Sequence, residues 1–101
     1  MYMNKISRTT FYIGQKDVVS KGTPVQLPTQ AVTDGADIIV KAKIDNTGTI
    51  YIGTTSDNAK NDSGNNWTLL PGDYLKLSLT NVNKFWIDGE DGEGVEIATV
   101  T

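Results

Sequence analysis

The sequence predicts an all-β fold: a single antiparallel β-sandwich of about eight short strands, jelly-roll or Greek-key like. Three observations predict it. Apolar residues alternate with polar ones at a period of two, as in strands that bury one face. Clusters of Gly, Pro, Asn and Asp separate these runs and mark turns. No long stretch shows the 3.6-residue apolar period of an amphipathic helix.

Each predicted strand rests on the apolar residues that would share one face. In chain order the runs are TTFYIG (Phe11 and Ile13 inward), TPVQLP (Val25, Leu27), DIIVKAKI (Ile38, Val40, Ala42, Ile44), TIYIG (Ile50, Ile52), DYLKLSLT (Leu75, Leu77, Leu79), KFWIDG (Phe85, Ile87) and GVEIATV (Val95, Ile97, Thr99). Val18 and Val19 form a candidate for one more short strand. We expect residues 1–10 to be an N-terminal extension or arm and residues 11–101 to form the sandwich domain.

Turn residues fall between these runs. Asp45–Gly48 (DNTG) predicts a type I turn that ends in a left-handed glycine. Pro71–Asp73 predicts a tight turn, because Pro presets φ and Gly accepts a positive φ. Asp88–Gly94 contains three glycines and predicts a loop, and Ser56–Asn66 is the longest polar run and predicts an exposed loop.

Composition excludes several classes of function. The chain has 101 residues, the size of one domain, and contains neither cysteine nor histidine. Ser–His catalysis and thiolate chemistry are therefore excluded. A net charge of −3 offers no basic face for nucleic acid. No apolar run suits a membrane span, and the first ten residues lack the apolar region of a secretory signal, so we expect a protein made in a cytoplasm.

Acidic residues cluster near the end of the chain. Asp88, Glu90, Asp91, Glu93 and Glu96 are close together in the sequence. The expected interpretation is a solvated loop, with no catalytic residue, no cofactor and no metal. Calcium binding by these oxygens stays open, although the spacing does not fit an EF-hand. A carboxylate pair for glycoside hydrolysis is a more distant alternative, because so small a sandwich has little room for a deep cleft.

Four aromatic residues are the candidate contacts. Tyr51, Tyr74 and Trp86 lie opposite the aliphatic face of their strands, and Trp67 borders the polar loop. They either stack on sugar rings or pack inside the sandwich and against another copy of the chain. Because a small sandwich without disulfides gains from extra burial, we expect self-association.

The order of these features resembles a group of small bacteriophage virion proteins. The shared pattern runs from GTPVQLP through DNTGTIYIG and LLPGD to GEGV, and the resemblance covers about Gly14 to Thr101. The matching residues are Gly22, Val25, Leu27, Asn46, Thr47, Gly48, Tyr51, Gly53, Leu70, Pro71, Gly72, Asp73, Asn81, Gly94 and Val95.

The resemblance implies a non-enzymatic β-sandwich of the virion. It favours a capsid decoration or auxiliary protein that forms a homo-oligomer, with a trimer favoured, and binds the major capsid protein or another virion protein. A tail or head-fibre component is the alternative within this class, and a carbohydrate-binding module for host attachment is the alternative outside it. The arm at residues 1–10 would reach a neighbouring subunit or the capsid shell.

Overall fold

A computed structural model describes residues 10–101, and these residues form eight strands in two four-stranded antiparallel sheets. The strands are Phe11–Asp17 (β1), Val25–Gln26 (β2), Ile38–Ala42 (β3), Ile50–Gly53 (β4), Trp67–Leu69 (β5), Tyr74–Leu77 (β6), Trp86–Asp88 (β7) and Gly94–Val100 (β8). A short helix, α1, spans Ser56–Ala59, and a 3₁₀ turn spans Val82–Lys84. The all-β sandwich prediction is confirmed.

The strand order is that of a jelly roll. The first sheet runs β1-β8-β3-β6 and the second runs β2-β7-β4-β5. The strands therefore pair first with last, β1 with β8, β2 with β7, β3 with β6 and β4 with β5. Such pairing is that of one long antiparallel hairpin folded into two sheets. The β3–β8 pair joins the first sheet together, and the β4–β7 pair joins the second.

The core lies between the sheets and consists mainly of the residues that the alternation predicts. The buried cluster is Val18, Leu27, Ile38, Val40, Ala42, Ile50, Ile52, Leu69, Val82, Phe85, Ile87, Val95 and Ile97. Thr99 is buried as well, and Val25, Leu75 and Leu79 pack against the cluster. Apolar burial of this kind is the main favourable term in folding.

Strand β1 is the clearest correction to the predicted core. Phe11 and Ile13 are 67% and 65% exposed, whereas Tyr12 packs against the core. Pairing with β8 decides this orientation, because residues opposite each other share a face and Ile13 lies opposite Ala98 on the outer side. The Tyr12 ring also fills the space that a side chain on Gly14 would occupy.

Three smaller predictions also need correction. Ile44 is exposed because β3 ends at Ala42 and the chain turns there, with the Asn46 N–H donating to the Lys43 carbonyl at 3.1 Å. Leu77 is 42% exposed because β6 is an edge strand of its sheet. Val18 is buried and Val19 exposed, but neither belongs to a strand.

The predicted turns are partly confirmed. Leu70–Asp73 is a type II turn, since Gly72 has φ +85° and the Asp73 N–H donates to the Leu70 carbonyl at 2.9 Å. Gly48 has no positive φ, so the prediction of a left-handed glycine there is wrong. A side chain at Gly48 would come within 2.8 Å of the Glu90 Cγ atom, and close packing explains the glycine instead.

Candidate interaction surfaces

The acidic loop predicted at Asp88–Gly94 joins β7 to β8, with Asp88 as the last residue of β7 and Gly94 as the first of β8, and the protein's own hydrogen-bond donors hold it. Asp88 is fully buried, and its carboxylate accepts from the N–H groups of Gly22, Asn61 and Gly89 and from the Asn61 side-chain amide, at 2.8–3.2 Å. Burial alone would raise the pKa of Asp88, but these hydrogen bonds outweigh it and lower the pKa below its ordinary value. Asp88 therefore acts as an anionic anchor for two loops.

Glu93 fixes the turn that contains Asn46, Thr47 and Gly48. The Thr47 hydroxyl and N–H each donate to the Glu93 Oε2 atom at 2.6 Å, and the Gly48 N–H donates to Oε1 at 3.0 Å. The Thr47 hydroxyl and the two N–H groups lower the pKa of Glu93. Asn46 adds two hydrogen bonds to the backbone of Gly94. The Asn-Thr-Gly sequence thus serves as a clamp between two loops.

The remaining acidic residues of the loop contact Lys21. Its ammonium group lies 2.8 Å from Glu90, and its N–H donates to the Asp91 carboxylate at 2.8 Å. The hydrogen bond and charge of Glu90 raise the pKa of Lys21. Within residues 10–101 no group of three or more carboxylates converges as a metal site would require. The loop's geometry is that of a structural clamp.

The four predicted contact aromatics lie on three different surfaces. Tyr51 and Trp86 are half-buried on the outer face of the second sheet, where Asp88 also lies. Tyr74 is 63% exposed on the outer face of the first sheet, opposite Lys41. Trp67 is 62% exposed at the edge of the second sheet, opposite the buried Ile52. The structure therefore brings Tyr51 and Trp86 to one face and does not align them with Trp67.

A polar segment covers the outer face of the second sheet. Helix α1 contacts β4 and β7, and Ala59 of this helix is fully buried. A side chain at Gly53 would come within 2.9 Å of the Ala59 nitrogen, so glycine is what lets the helix pack this closely. The Thr55 hydroxyl caps the helix by accepting from the Asn58 N–H at 3.1 Å. The run Ser56–Asn66, predicted as an exposed loop, thus folds back onto the sheet.

The outer face of the first sheet carries an apolar patch, which we call the outer patch. Its members are Phe11, Ile13, Ile39, Ala98 and Val100. They are contiguous, because Phe11 pairs with Val100 and Ala98 lies between Ile13 and Ile39. Sequence reasoning missed this surface because it turned Phe11 and Ile13 inward. The alternation of β8, with Val95, Ile97 and Thr99 inward, indicated that Ala98 and Val100 face outward, whereas the orientation of Phe11 and Ile13 depends on the pairing of β1 with β8.

A groove opens between the sheets at the edges of β5 and β6, and we call it the Trp67 groove. Ile52 and Trp67 of the second sheet, Phe85 just before β7, and Leu75 and Leu77 of the first sheet line a cavity of about 310 Å³. Asn58, Asn65 and Asn66 supply its polar side. None of the residues that line the groove carries a charge.

Comparison with known proteins gives no relative: no family model matches the chain, and neither a curated protein nor a solved structure matches it. Among residues 10–101 no helix has the length and apolar character needed to cross a membrane. The predicted arm at residues 1–10 lies, except for Thr10, outside the described residues. The functional proposal therefore rests on the residues and surfaces described above.

Proposed function

We propose that this protein is a non-enzymatic structural component of a bacteriophage virion, most simply a capsid decoration or auxiliary protein that self-associates and binds the shell. The observation that carries the proposal is the outer patch. In the part of the chain that the structure describes, large apolar side chains are exposed there on a four-stranded sheet, and contiguous exposed apolar surface marks sites of protein association.

The fold and the residue pattern support the same proposal. Jelly rolls recur in viral capsid proteins and in lectins, although a fold alone does not assign a function. The phage-like pattern falls on residues that build this fold, such as Gly72 in its turn and the Asn46–Thr47–Gly48 clamp. The resemblance and the jelly roll thus depend on the same residues.

Residues 1–9 add a second contact to this proposal. The outer patch spans three neighbouring strands, β1, β8 and β3, about 10 Å across, and is smaller than the roughly 800 Å² per partner that a standard interface buries. The sequence before Phe11 contains the apolar residues Tyr2, Met3 and Ile6. It also contains the basic residues Lys5 and Arg8, whereas the chain as a whole has a net charge of −3. We propose that the predicted arm at residues 1–10 makes the additional contact with a neighbouring subunit or the capsid shell.

Self-association is tested by replacing Ile13 with Lys. The variant places a charge on the β1 side of the outer patch at a side chain that is 65% exposed, and we expect its association constant to fall by about tenfold or more. The matched control is Val19→Lys, which changes an apolar residue that is 79% exposed but lies off the patch. Light scattering over a concentration series measures both. A monomeric wild-type protein, or equal loss in the two variants, would contradict the use of this patch.

The virion role is tested with particles assembled without the protein. Purified protein is added, and electron microscopy is used to compare particles with and without it. Density on the head at symmetry-related positions is the expected result. Added density on the tail would show that the protein is a tail component and would contradict the decoration role. No added density at all would contradict the virion proposal. Deletion of Met1–Arg8 is expected to weaken the binding.

A further inference from the structure

The Trp67 groove has a chemistry that differs from that of the outer patch. Its apolar part contains a large aromatic ring that is 62% exposed, together with the aliphatic side chains of Leu75 and Leu77. Its polar part contains three asparagines, Asn58, Asn65 and Asn66, together with Thr54. A site with this lining suits a neutral ligand that has both an apolar face and a rim of hydrogen-bonding groups.

The asparagine side of the groove is organised by the chain itself. The Asn66 side-chain amide donates to the Lys60 carbonyl at 2.9 Å and to the Ser63 hydroxyl at 3.3 Å, and it fixes the loop at the rim. Within residues 10–101 the side-chain amides of Asn58 and Asn65 make no hydrogen bond. They are therefore available as paired donors and acceptors beside Trp67.

We propose that the Trp67 groove is a binding site for a neutral saccharide, with a pyranose ring stacked on Trp67 and its hydroxyls bonded to Asn58 and Asn65. A pyranose has C–H groups on its faces and hydroxyls around its edge, which matches an aromatic ring flanked by amides. The cavity of about 310 Å³ lies within the range of small-ligand sites. The absence of charge in the lining disfavours phosphorylated and acidic ligands.

This site does not depend on the virion proposal. It lies at the edges of β5 and β6, whereas the outer patch lies on the outer face of the first sheet and includes β1 and β8. The groove is also distinct from a sugar platform made of several aromatic residues, because Tyr51 and Trp86 lie on the outer face of the second sheet, away from Trp67. The site is a single-ring subsite with Trp67 as its one aromatic platform.

The test uses the full chain with the replacement Trp86→Phe, which leaves Trp67 as the sole tryptophan. The probes are the methyl glycosides of glucose, galactose, mannose and N-acetylglucosamine and the corresponding β-linked disaccharides. A saturable change in Trp67 emission with at least one of them is expected. Adenosine, a neutral tripeptide and sialic acid are the competing probes.

Variants then locate the binding. Trp67→Ala is expected to weaken it by about tenfold or more, as measured by ligand-detected NMR, because the stacking surface is lost. Asn65→Ala is expected to weaken it several-fold, and because Asn65 is exposed it serves as the second test if Trp67→Ala does not fold. Trp86→Phe and Ile13→Lys are expected to bind as the wild type does.

Three results would overturn the proposal. The first is no binding of any saccharide probe. The second is saccharide binding that survives both Trp67→Ala and Asn65→Ala. The third is a preference for adenosine, the tripeptide or sialic acid over every neutral sugar. Self-association is tested separately with Ile13→Lys. A negative result for saccharide binding therefore leaves the virion proposal unaffected, and a negative result for self-association leaves the saccharide proposal unaffected.

Discussion

The outer faces of the two sheets differ in what covers them. On the second sheet, helix α1 and the following polar loop fold over β4 and β7, and the fully buried Asp88 holds Asn61 of that loop. On the first sheet, Phe11 and Ile13 stand exposed, and within residues 10–101 no comparable segment covers them. In the described residues 10–101, β4 and β7 of one outer face are covered by the chain, and the other outer face carries exposed apolar side chains.

The difference shows how a small jelly roll divides its surface. Covering the second sheet requires a buried carboxylate that is stable only because four N–H groups satisfy it. Among residues 10–101 the outer face of the first sheet has no buried carboxylate of this kind, and its ion pair of Lys41 and Glu96 is half-exposed. We infer that stability is concentrated on the covered face and association on the uncovered one.

Removing the Asp88 carboxylate is the largest predicted effect. Asp88→Ala leaves the N–H groups of Gly22, Asn61 and Gly89 without their acceptor, and we expect the free energy of unfolding to fall by about 3 kcal/mol. Urea denaturation measures it. The control is Asp62→Ala, an exposed residue of the same loop, with an expected change within about 0.5 kcal/mol. Equal losses would contradict the anchor.

Filling the contact between Gly53 and helix α1 should have the next largest effect. In Gly53→Ala the new Cβ atom would lie 2.9 Å from the Ala59 nitrogen, so the helix must shift, and we expect a loss of about 2 kcal/mol. Trypsin cleavage after Lys60 should accelerate because the loop loosens. The neighbouring Thr54→Ala is the control. An unchanged cleavage rate in Gly53→Ala would show that the helix does not depend on this contact.

Glu93 makes the stability of the clamp at Asn46, Thr47 and Gly48 sensitive to acid. Because its pKa is lowered in the folded state, its contribution to stability is present above the unfolded pKa of about 4.3 and is lost as the pH falls through the folded pKa. Glu93→Gln should cost about 1 kcal/mol at neutral pH and should flatten this acid dependence. Denaturation curves across the acid range test it. An unchanged pH profile in the variant would contradict the assignment.

The ion pair on the uncovered face is the smallest predicted effect. Glu96 lies 3.4 Å from Lys41, and both side chains are about half exposed, so Glu96→Gln should change stability by about 0.5 kcal/mol or less. The same denaturation experiment measures it beside Asp88→Ala. If Glu96→Gln lowered the free energy of unfolding as much as Asp88→Ala does, stability would not be concentrated on the covered face.

The local sequence pattern predicted a strand's orientation well where it was clear which of its two faces was the apolar one. In β3, Ile38, Val40 and Ala42 are all fully buried as expected. In β1 the pattern misled, because Phe11 and Ile13 are apolar enough to suggest the inner face and Tyr12 is amphipathic. The pairing partner decides such cases, since a change of one residue in register moves every side chain to the other face.

The sites divide in the same way. Sequence reasoning identified Tyr51, Trp67, Tyr74 and Trp86 as candidate contacts, yet their distribution over three surfaces depends on which strand is an edge and which face is covered. The roles of Asp88 and Glu93 were equally hidden. Their partners, such as Gly22 and Thr47, lie 66 and 46 residues away in the chain.

From local alternation and turn chemistry the sequence predicted the all-β class, seven of the eight strands and most of the core. It missed β5, and the candidate strand at Val18 and Val19 does not form. Only the tertiary structure decided the β1-β8-β3-β6 and β2-β7-β4-β5 order, the outward turn of Phe11 and Ile13, and the folding of Ser56–Asn66 over the second sheet. These features arise from contacts between residues far apart in the chain, such as Asp88 with Asn61 and Ile13 with Ala98, and a local pattern carries no information about such partners.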